Sequence, residues 1–156
     1  MRIIAVDPGY DRMGVAVLEK ENGKEKLLFS SCLVTEKSDS FGNRLGGLTD
    51  NFKELITEWK PDYCVLEKLF FNKNQKTAMQ VAEVRGALMQ VAYSQSLEVV
   101  EFAPTEVKLA VTSSGAASKA QVADMVKRLV TLDHLPKYDD EYDAIALGIT
   151  ALVSLK

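Results

Sequence analysis

Four carboxylates stand at places in the sequence from which they can act together on one reaction. Asp7 and Glu67 each end a short apolar run that is typical of a buried strand. If these two strands are parallel neighbours, both acids lie at the carboxyl edge of the sheet, where open α/β sheets bind ligands. Asp140 and Asp143 are three residues apart, so they share a face if their segment is a helix. We call Asp7, Glu67, Asp140 and Asp143 the acidic tetrad.

A cluster of this kind is unstable unless a cation or a proton neutralises it. Two like charges about 4–5 Å apart repel by roughly 4 kcal/mol at an effective dielectric constant of about 20. Oxygen ligands suit Mg²⁺, with Mn²⁺ as a substitute. Two such ions on either side of a phosphodiester can activate water and stabilise the leaving oxygen. The tetrad therefore predicts metal-dependent phosphodiester hydrolysis with two Mg²⁺ ions in each active site.

Each acid of the tetrad also has an ordinary structural explanation. Asp7 precedes Pro8-Gly9 and could open a turn, and Glu67 could be a solvated strand end. Asp140 and Asp143 could be acids of a first helical turn, each favoured by ~0.3–1 kcal/mol through the helix dipole. These explanations treat the acids one by one, and they leave unexplained why two apolar strands both end on an acid.

The apolar periodicity predicts the elements that must position the tetrad. The predicted strands cover residues 2–7, 13–18, 26–35, 63–67 and 97–102. The predicted helices cover residues 41–59, 75–93, 104–111, 118–132 and 140–155. Asn22-Gly23 predicts a tight hairpin, and Ser118 is a plausible helix N-cap. The order βββαβαβααα predicts an α/β fold with a five-stranded mixed sheet, an antiparallel meander followed by parallel strands, flanked by helices.

Length and composition narrow the class of protein. The chain has 156 residues, of which 47% are apolar and 26% charged, as expected for one globular domain over residues 1–156. The sequence has no apolar run near the ~18 residues that a membrane span needs. Cys32 and Cys64 lie in apolar runs, and with His134 as the one histidine there are too few ligands for a Cys/His zinc site. These features predict a cytoplasmic protein.

The net charge of −3 argues weakly against a nucleic-acid partner, but the distribution of charge matters more. Acids concentrate over residues 133–143, whereas the only charged residues over 68–80 are lysines. Residues 107–128 carry three lysines and an arginine against one aspartate. This pattern fits an enzyme that holds a cation and contacts a polyanion, and it also fits an ordinary solvated surface.

Five motifs follow one another along nearly the whole chain. They are Ile4-Ala5-Val6-Asp7-Pro8-Gly9 with Gly14, Val65-Leu66-Glu67-Lys68-Leu69-Phe70-Phe71-Asn72-Lys73-Asn74 with Arg85-Gly86, Pro104-Thr105-Glu106-Val107-Lys108, Val111-Thr112-Ser113-Ser114-Gly115-Ala116-Ala117-Ser118-Lys119-Ala120-Gln121-Val122 with Met125-Val126, and Asp140-Glu141-Tyr142-Asp143-Ala144-Ile145-Ala146. This ordered set resembles the RuvC-type Holliday junction resolvases, which have an RNase H-like fold. The resemblance implies that the tetrad binds the divalent metals and hydrolyses DNA to leave 5′-phosphate and 3′-hydroxyl ends.

The resemblance also implies a partner set and a symmetry. It implies a homodimer that cuts two opposed strands of a four-way DNA junction in recombination and repair, together with a branch-migration motor complex. A two-fold symmetric junction and one tetrad per chain agree with a C₂ dimer. The small residues of the helix over residues 75–93 fit a contribution to the dimer interface, and they equally fit packing on the chain's own sheet.

The same resemblance implies further contacts with DNA. Phe70 matches an aromatic contact with the junction core, and we expect either Phe70 or Phe71 to point outward because strand neighbours face opposite ways. Lys108 and Lys119 match basic positions close to the scissile phosphate, where an ammonium is a suitable point charge. Weaker candidates for DNA backbone contacts are Lys73, Lys76, Arg85 and Arg12.

The sequence departs from the family pattern at three places, and other functions stay open. Met13 stands where Thr is common, Ser113 replaces a Gly, and no histidine occurs near Ala151. Two alternatives are an RNase H-fold nuclease that acts on RNA precursors and a dimeric module that binds junctions without cutting. An ATPase with an actin-like phosphate loop needs two such domains, whereas the chain has the length of one.

Overall fold

The computed structural model describes residues 1–69 and 75–155, with the backbone alone at residues 75 and 76. The strands are β1 (Arg2–Asp7), β2 (Arg12–Glu21), β3 (Lys24–Val34), β4 (Tyr63–Glu67) and β5 (Glu98–Phe102). The helices are α1 (Phe41–Trp59), α2 (Gln75–Ser94), α3 (Pro104–Thr112), α4 (Lys119–Leu129) and α5 (Asp139–Ser154).

The five strands form one mixed sheet in the order β3-β2-β1-β4-β5. β1, β2 and β3 are antiparallel neighbours, whereas β1, β4 and β5 run parallel. From β1 the sheet extends to β2 and β3 on one side and to β4 and β5 on the other, so the end of β1 lies at a topological switch point. The predicted α/β fold class, with a meander followed by parallel strands, is confirmed.

The sheet is covered on both faces, as its apolar central strand requires. Ile3 and Ala5 pack on the side of α3, α4 and α5, whereas Ile4 and Val6 pack on the side of α1 and α2. All four side chains are fully buried. Burial of a large aliphatic side chain contributes about 1.5–3 kcal/mol, so the two layers together hold β1 in place.

The hairpin between β2 and β3 turns at Asn22-Gly23, as the sequence predicts. Asn22 and Gly23 have φ values of 52° and 76°, and two positive φ angles are what a type I′ turn requires. The two strands are longer than predicted, because Glu19 and Lys20 continue the ladder opposite Lys26 and Glu25. Opposite charges across the strands support this polar extension.

Helix α5 lies unusually close to the sheet at its first turn. A Cβ atom added to Gly14 would lie 1.8 Å from the carbonyl oxygen of Asp140. The absence of a side chain at Gly14 therefore lets the α5 backbone rest directly on β2. This contact places the first turn of α5 beside the end of β1.

The helix ends follow their capping residues. Ser40 accepts a hydrogen bond from the backbone N–H of Asn43 at the start of α1. Ser118 accepts one from Gln121 at the start of α4, which confirms Ser118 as the predicted N-cap. Within the described part of the chain, no helix combines the length and the apolar character that a membrane crossing would need.

Candidate active site

The acidic tetrad comes together at the carboxyl edge of the sheet. Val6 of β1 pairs with Leu66 of β4, so the residues that follow, Asp7 and Glu67, end two adjacent parallel strands. Asp140 and Asp143 lie in the first turns of α5, which rests on β2 beside them. The structure thus brings all four predicted acids to one place.

A cavity of about 250 Å³ opens at this edge. Asp7, Glu67 and Asp143 line it, and so do Lys108 and Lys119. The remaining lining residues are apolar or proline, namely Pro104, Val107, Val122 and Leu147. Charged groups therefore face one another across a partly apolar pocket, where electrostatic interactions are stronger than in bulk water.

The carboxyl groups of the tetrad repel one another. Burial raises the pKa of Asp7 well above its ordinary range, and the negative charges of Glu67, Asp143 and Asp140 raise it further. Burial and then Asp143 raise the pKa of Glu67, whereas Lys119 and Lys108 act against this rise. Acids that hold their protons this tightly mark a place where the fold has concentrated negative charge.

Two cations hold two of these acids. Lys119 Nζ lies 2.9 Å from an Asp143 carboxylate oxygen, and Arg12 Nε lies 3.0 Å from Asp140 Oδ2. That Asp140 oxygen is buried, and despite the nearby Arg12 it has no hydrogen-bond partner among the described residues. A buried carboxylate oxygen with an ion pair but no hydrogen bond has capacity left for a further positively charged partner.

The tetrad fits a hard divalent cation by its chemistry. All four donors are carboxylates, which Mg²⁺ and Mn²⁺ prefer, and their mutual repulsion is relieved by positive charge. Within residues 1–69 and 75–155, however, no three acidic, histidine or cysteine side chains already stand in a metal-binding arrangement. In this structure Asp140 and Asp143 are instead paired with Arg12 and Lys119.

The raised pKa of Asp7 predicts how stability depends on pH in the absence of divalent metal. A carboxyl whose pKa is higher in the folded chain binds its proton more tightly there, so the free energy of unfolding falls as pH rises above about 4. We expect thermal unfolding in EDTA to show this fall across the range up to the raised pKa. Asp7→Asn should make this fall shallower. If stability fell equally with pH in the native chain and in Asp7→Asn, a raised pKa of Asp7 would be contradicted.

The basic residues expected near DNA have different positions. Lys108 and Lys119 both line the cavity, as a role beside the scissile phosphate requires, and that role stays a prediction. Arg12 lies over the Tyr138 ring, 4.8 Å from the guanidinium carbon to the ring centroid. Arg12 thus contacts a tetrad acid, Asp140, and it stays a candidate for a contact with the DNA backbone.

The Arg85 side chain is mostly buried and contacts residues of its own chain. Its side chain is only 17% exposed and forms an ion pair with Glu101. Its Nε lies 3.4 Å from the backbone carbonyl of Glu67. The guanidinium thus stabilises the strand end that carries a tetrad acid, and the contact of Arg85 with the DNA backbone stays a prediction.

Four of the residues singled out in the sequence cannot be placed. Phe70, Phe71 and Lys73 lie outside the described residues, and the side chain of Lys76 at the start of α2 does as well. Their contacts with DNA stay predictions.

Two contacts of the site, made by Asp139 and Glu141, were not predicted from the sequence. Asp139 accepts a hydrogen bond from Lys119 at 2.9 Å, and its i,i+4 spacing to Asp143 was the signal that could have revealed it. Glu141, which is buried, accepts a hydrogen bond from Ser30 at 2.7 Å and lies 2.8 Å from His134 Nε2. These contacts attach the first turn of α5 to β3 and to the preceding loop, and no spacing in the sequence indicated them.

The sheet order and the carboxylate site together define an RNase H-like enzyme, and comparison with known proteins identifies its family. A family model described as crossover junction endodeoxyribonuclease RuvC matches residues 3–151. The chain is 41% identical to the RuvC of Thermosipho melanesiensis, over 95% of this chain and 94% of that protein. It is 39% identical to the RuvC of Prochlorococcus marinus, over 97% and 96%. The chain therefore belongs to the RuvC family of crossover junction endodeoxyribonucleases.

Solved structures agree with this assignment. Thermus thermophilus RuvC in complex with a Holliday junction substrate is 27% identical with a TM-score of 0.89, covering 97% of this chain and 93% of that one. The yeast mitochondrial Holliday junction resolvase, 12% identical over 95% of this chain and 77% of that one, has a TM-score of 0.71 and shares the fold. The predicted resemblance to RuvC-type resolvases is confirmed.

Proposed function

We propose that this chain resolves four-way DNA junctions by paired, symmetric nicks, using the acidic tetrad to hydrolyse one phosphodiester in each of two opposed strands. The observation that carries the proposal is the convergence of Asp7, Glu67 and Asp143 with two lysines in one cavity, with Asp140 close enough to raise the pKa of Asp7. Membership of the RuvC family and likeness to a RuvC bound to a Holliday junction substrate support the choice of DNA substrate. The expected products are 5′-phosphate and 3′-hydroxyl ends.

We propose Asp7, Glu67, Asp140 and Asp143 as the ligands of two Mg²⁺ ions, with Mn²⁺ as a substitute. When bound, such ions supply an activated water and stabilise the leaving oxygen. The chain's own contribution is to hold the carboxylates on two strand ends and one helix, all rigidly packed elements. Asp7 lies within electrostatic reach of the other three acids, since each of them adds to the effect of burial and raises the pKa of its carboxyl group.

Lys108 and Lys119 are proposed to bind the phosphate that is cut. Both line the cavity. The lysine ammonium is a compact point charge, so it can neutralise one phosphate oxygen without the two-point geometry that arginine uses. Lys119 is well placed to move, since its side chain is 66% exposed. Phosphate binding by these lysines would place the scissile bond against the tetrad.

The assembly is proposed from symmetry and from the family. A four-way junction has two-fold symmetry and each chain carries one tetrad, so paired nicks require a C₂ homodimer of this domain, residues 1–156. Phe70 is the proposed aromatic contact with the junction core, where stacking on a base is worth about 1–3 kcal/mol. We also propose that the protein acts with a branch-migration motor complex and that it is located in the cytoplasm.

The proposal is tested by incubating the pure protein with a synthetic four-way junction in the presence and absence of Mg²⁺. We expect paired nicks at symmetry-related positions with Mg²⁺ and intact DNA in EDTA. A linear duplex of the same sequence is the control and should stay intact. Cleavage of structured RNA in place of the junction, or junction binding that never leads to cutting, would contradict the proposal in favour of an RNA nuclease or a binding module.

A further inference from the structure

Lys119 connects an acid of the tetrad to an acid outside it. Its ammonium lies 2.9 Å from a carboxylate oxygen of Asp143 and 2.9 Å from one of Asp139. The two aspartates are one helical turn apart on α5, so a single cation can bridge them. The lysine begins α4 directly after the Ser118 cap, which fixes its backbone in front of α5.

The two partners of Lys119 lie in different surroundings. The Asp143 side chain is 27% exposed and lines the cavity together with Asp7 and Glu67. The Asp139 side chain is 54% exposed and does not line the cavity. The ammonium therefore stands between a partner inside the cavity and a partner at its rim.

Lys119 and a divalent ion need the same Asp143 carboxylate. Two cations that share one ligand repel each other, so binding of a metal ion at Asp143 weakens the contact of the ammonium with that acid. Asp139 remains within reach and keeps the displaced ammonium paired. Among the described residues, Asp139 and Asp143 are the ion-pair partners of Lys119, so without Asp139 the displaced ammonium would lose its second partner as well.

We propose that Asp139 is a positioning residue that receives the Lys119 ammonium when Asp143 binds a divalent ion, so that Lys119 is a removable counter-ion of the tetrad. The proposal rests on the metal site put forward under the proposed function. It assigns a role to a carboxylate that lies beside the tetrad and outside its cavity.

The test measures binding of Mn²⁺ alone, without DNA, by electron paramagnetic resonance of the free ion. Lys119→Met should bind Mn²⁺ about three- to tenfold more tightly than the native chain, because the competing ammonium is gone. Asp139→Asn should bind about three- to tenfold more weakly. In the Lys119→Met background, the same Asp139→Asn change should alter affinity by no more than about twofold, because Asp139 acts through the lysine.

Lys108→Met is the matched control, since Lys108 lines the same cavity and forms no ion pair with the tetrad among the described residues. Equal tightening by Lys108→Met and Lys119→Met would overturn the proposal, because it would show a general effect of positive charge. An equal effect of Asp139→Asn in both backgrounds would overturn it as well.

Asp7→Asn separates this proposal from the metal site on which it rests. If the native chain binds no Mn²⁺, or binds it as well after Asp7→Asn, the proposed metal site is wrong and the role of Asp139 is wrong with it. If Asp7→Asn abolishes Mn²⁺ binding while Asp139 and Lys119 show no coupling, only the role of Asp139 is overturned.

Discussion

Replacing Asp7 by asparagine is expected to abolish metal-dependent cutting of a four-way junction, by at least about a thousandfold. Asp7 ends the central strand β1, and its carboxyl group is close enough to Glu67, Asp140 and Asp143 for all three to raise its pKa. An amide is nearly the same size but carries no charge, so it removes a ligand without leaving a hole. Junction binding should persist or improve, because one repulsive charge facing the DNA phosphates is lost.

The measurement pairs two assays on the same variant. Nicking of an end-labelled junction with Mg²⁺ reports the reaction, and a binding titration in EDTA reports affinity without cutting. Asp50→Asn is the matched control, since Asp50 is exposed on α1, away from the tetrad, and both of its assays should match the native chain. Cleavage by Asp7→Asn at a native rate would remove Asp7 from the catalytic site.

Gly14→Ala is expected to lower the free energy of unfolding by about 3 kcal/mol or more. A Cβ atom at Gly14 would lie 1.8 Å from the Asp140 carbonyl oxygen and 2.4 Å from its carbon, and backbone cannot rotate aside as a side chain can. Helix α5 would have to move off β2, and Asp140 and Asp143 would move with it. Cutting should therefore fall even under conditions in which the variant is folded.

Urea-induced unfolding compares this variant with a matched glycine-to-alanine change. A Cβ atom at Gly47 in α1 meets no atom within 4 Å, so Gly47→Ala should be neutral or stabilise the helix by up to about 1 kcal/mol. If Gly14→Ala were as stable as the native chain, then α5 would not be held against β2 by this contact. The position of half of the tetrad would then need another explanation.

The elements of the fold were accessible from local signals. α1 covers Phe41–Trp59 as predicted, because Leu48, Phe52 and Ile56 recur at helical spacing and form its buried face. The Asn22-Gly23 turn adopts the positive φ angles that its residue types favour. Helical periodicity and turn chemistry act within a few residues, so they are readable without knowledge of the fold.

The strand ends depended on pairing and were harder to predict. β2 runs over Arg12–Glu21 and is longer than the predicted residues 13–18. Its polar end breaks the apolar pattern, but Glu19 pairs with Lys26 across the hairpin. Apolar alternation cannot show such an extension, because the stabilising partner belongs to another strand.

The partners of charged side chains were the least accessible. Arg85 pairs with Glu101 of β5, which is sixteen residues further along the chain, and no local pattern indicated this partner. Asp139 was overlooked beside the tetrad, although Lys119 holds it from a different helix. A charged side chain is attracted to whichever opposite charge the fold brings within about 4 Å, and that choice is not a property of its neighbours in sequence.

The sequence by itself determined the strands, the helices and the four acids at their ends, because burial periodicity and residue chemistry are written locally. The tertiary structure alone decided that Lys119 and Arg12 hold Asp143 and Asp140, and that Gly14 lets α5 rest on the sheet. These contacts join residues up to 128 positions apart, between Arg12 and Asp140. Their geometry depends on how two layers of helices pack against one sheet, which no short window of sequence contains.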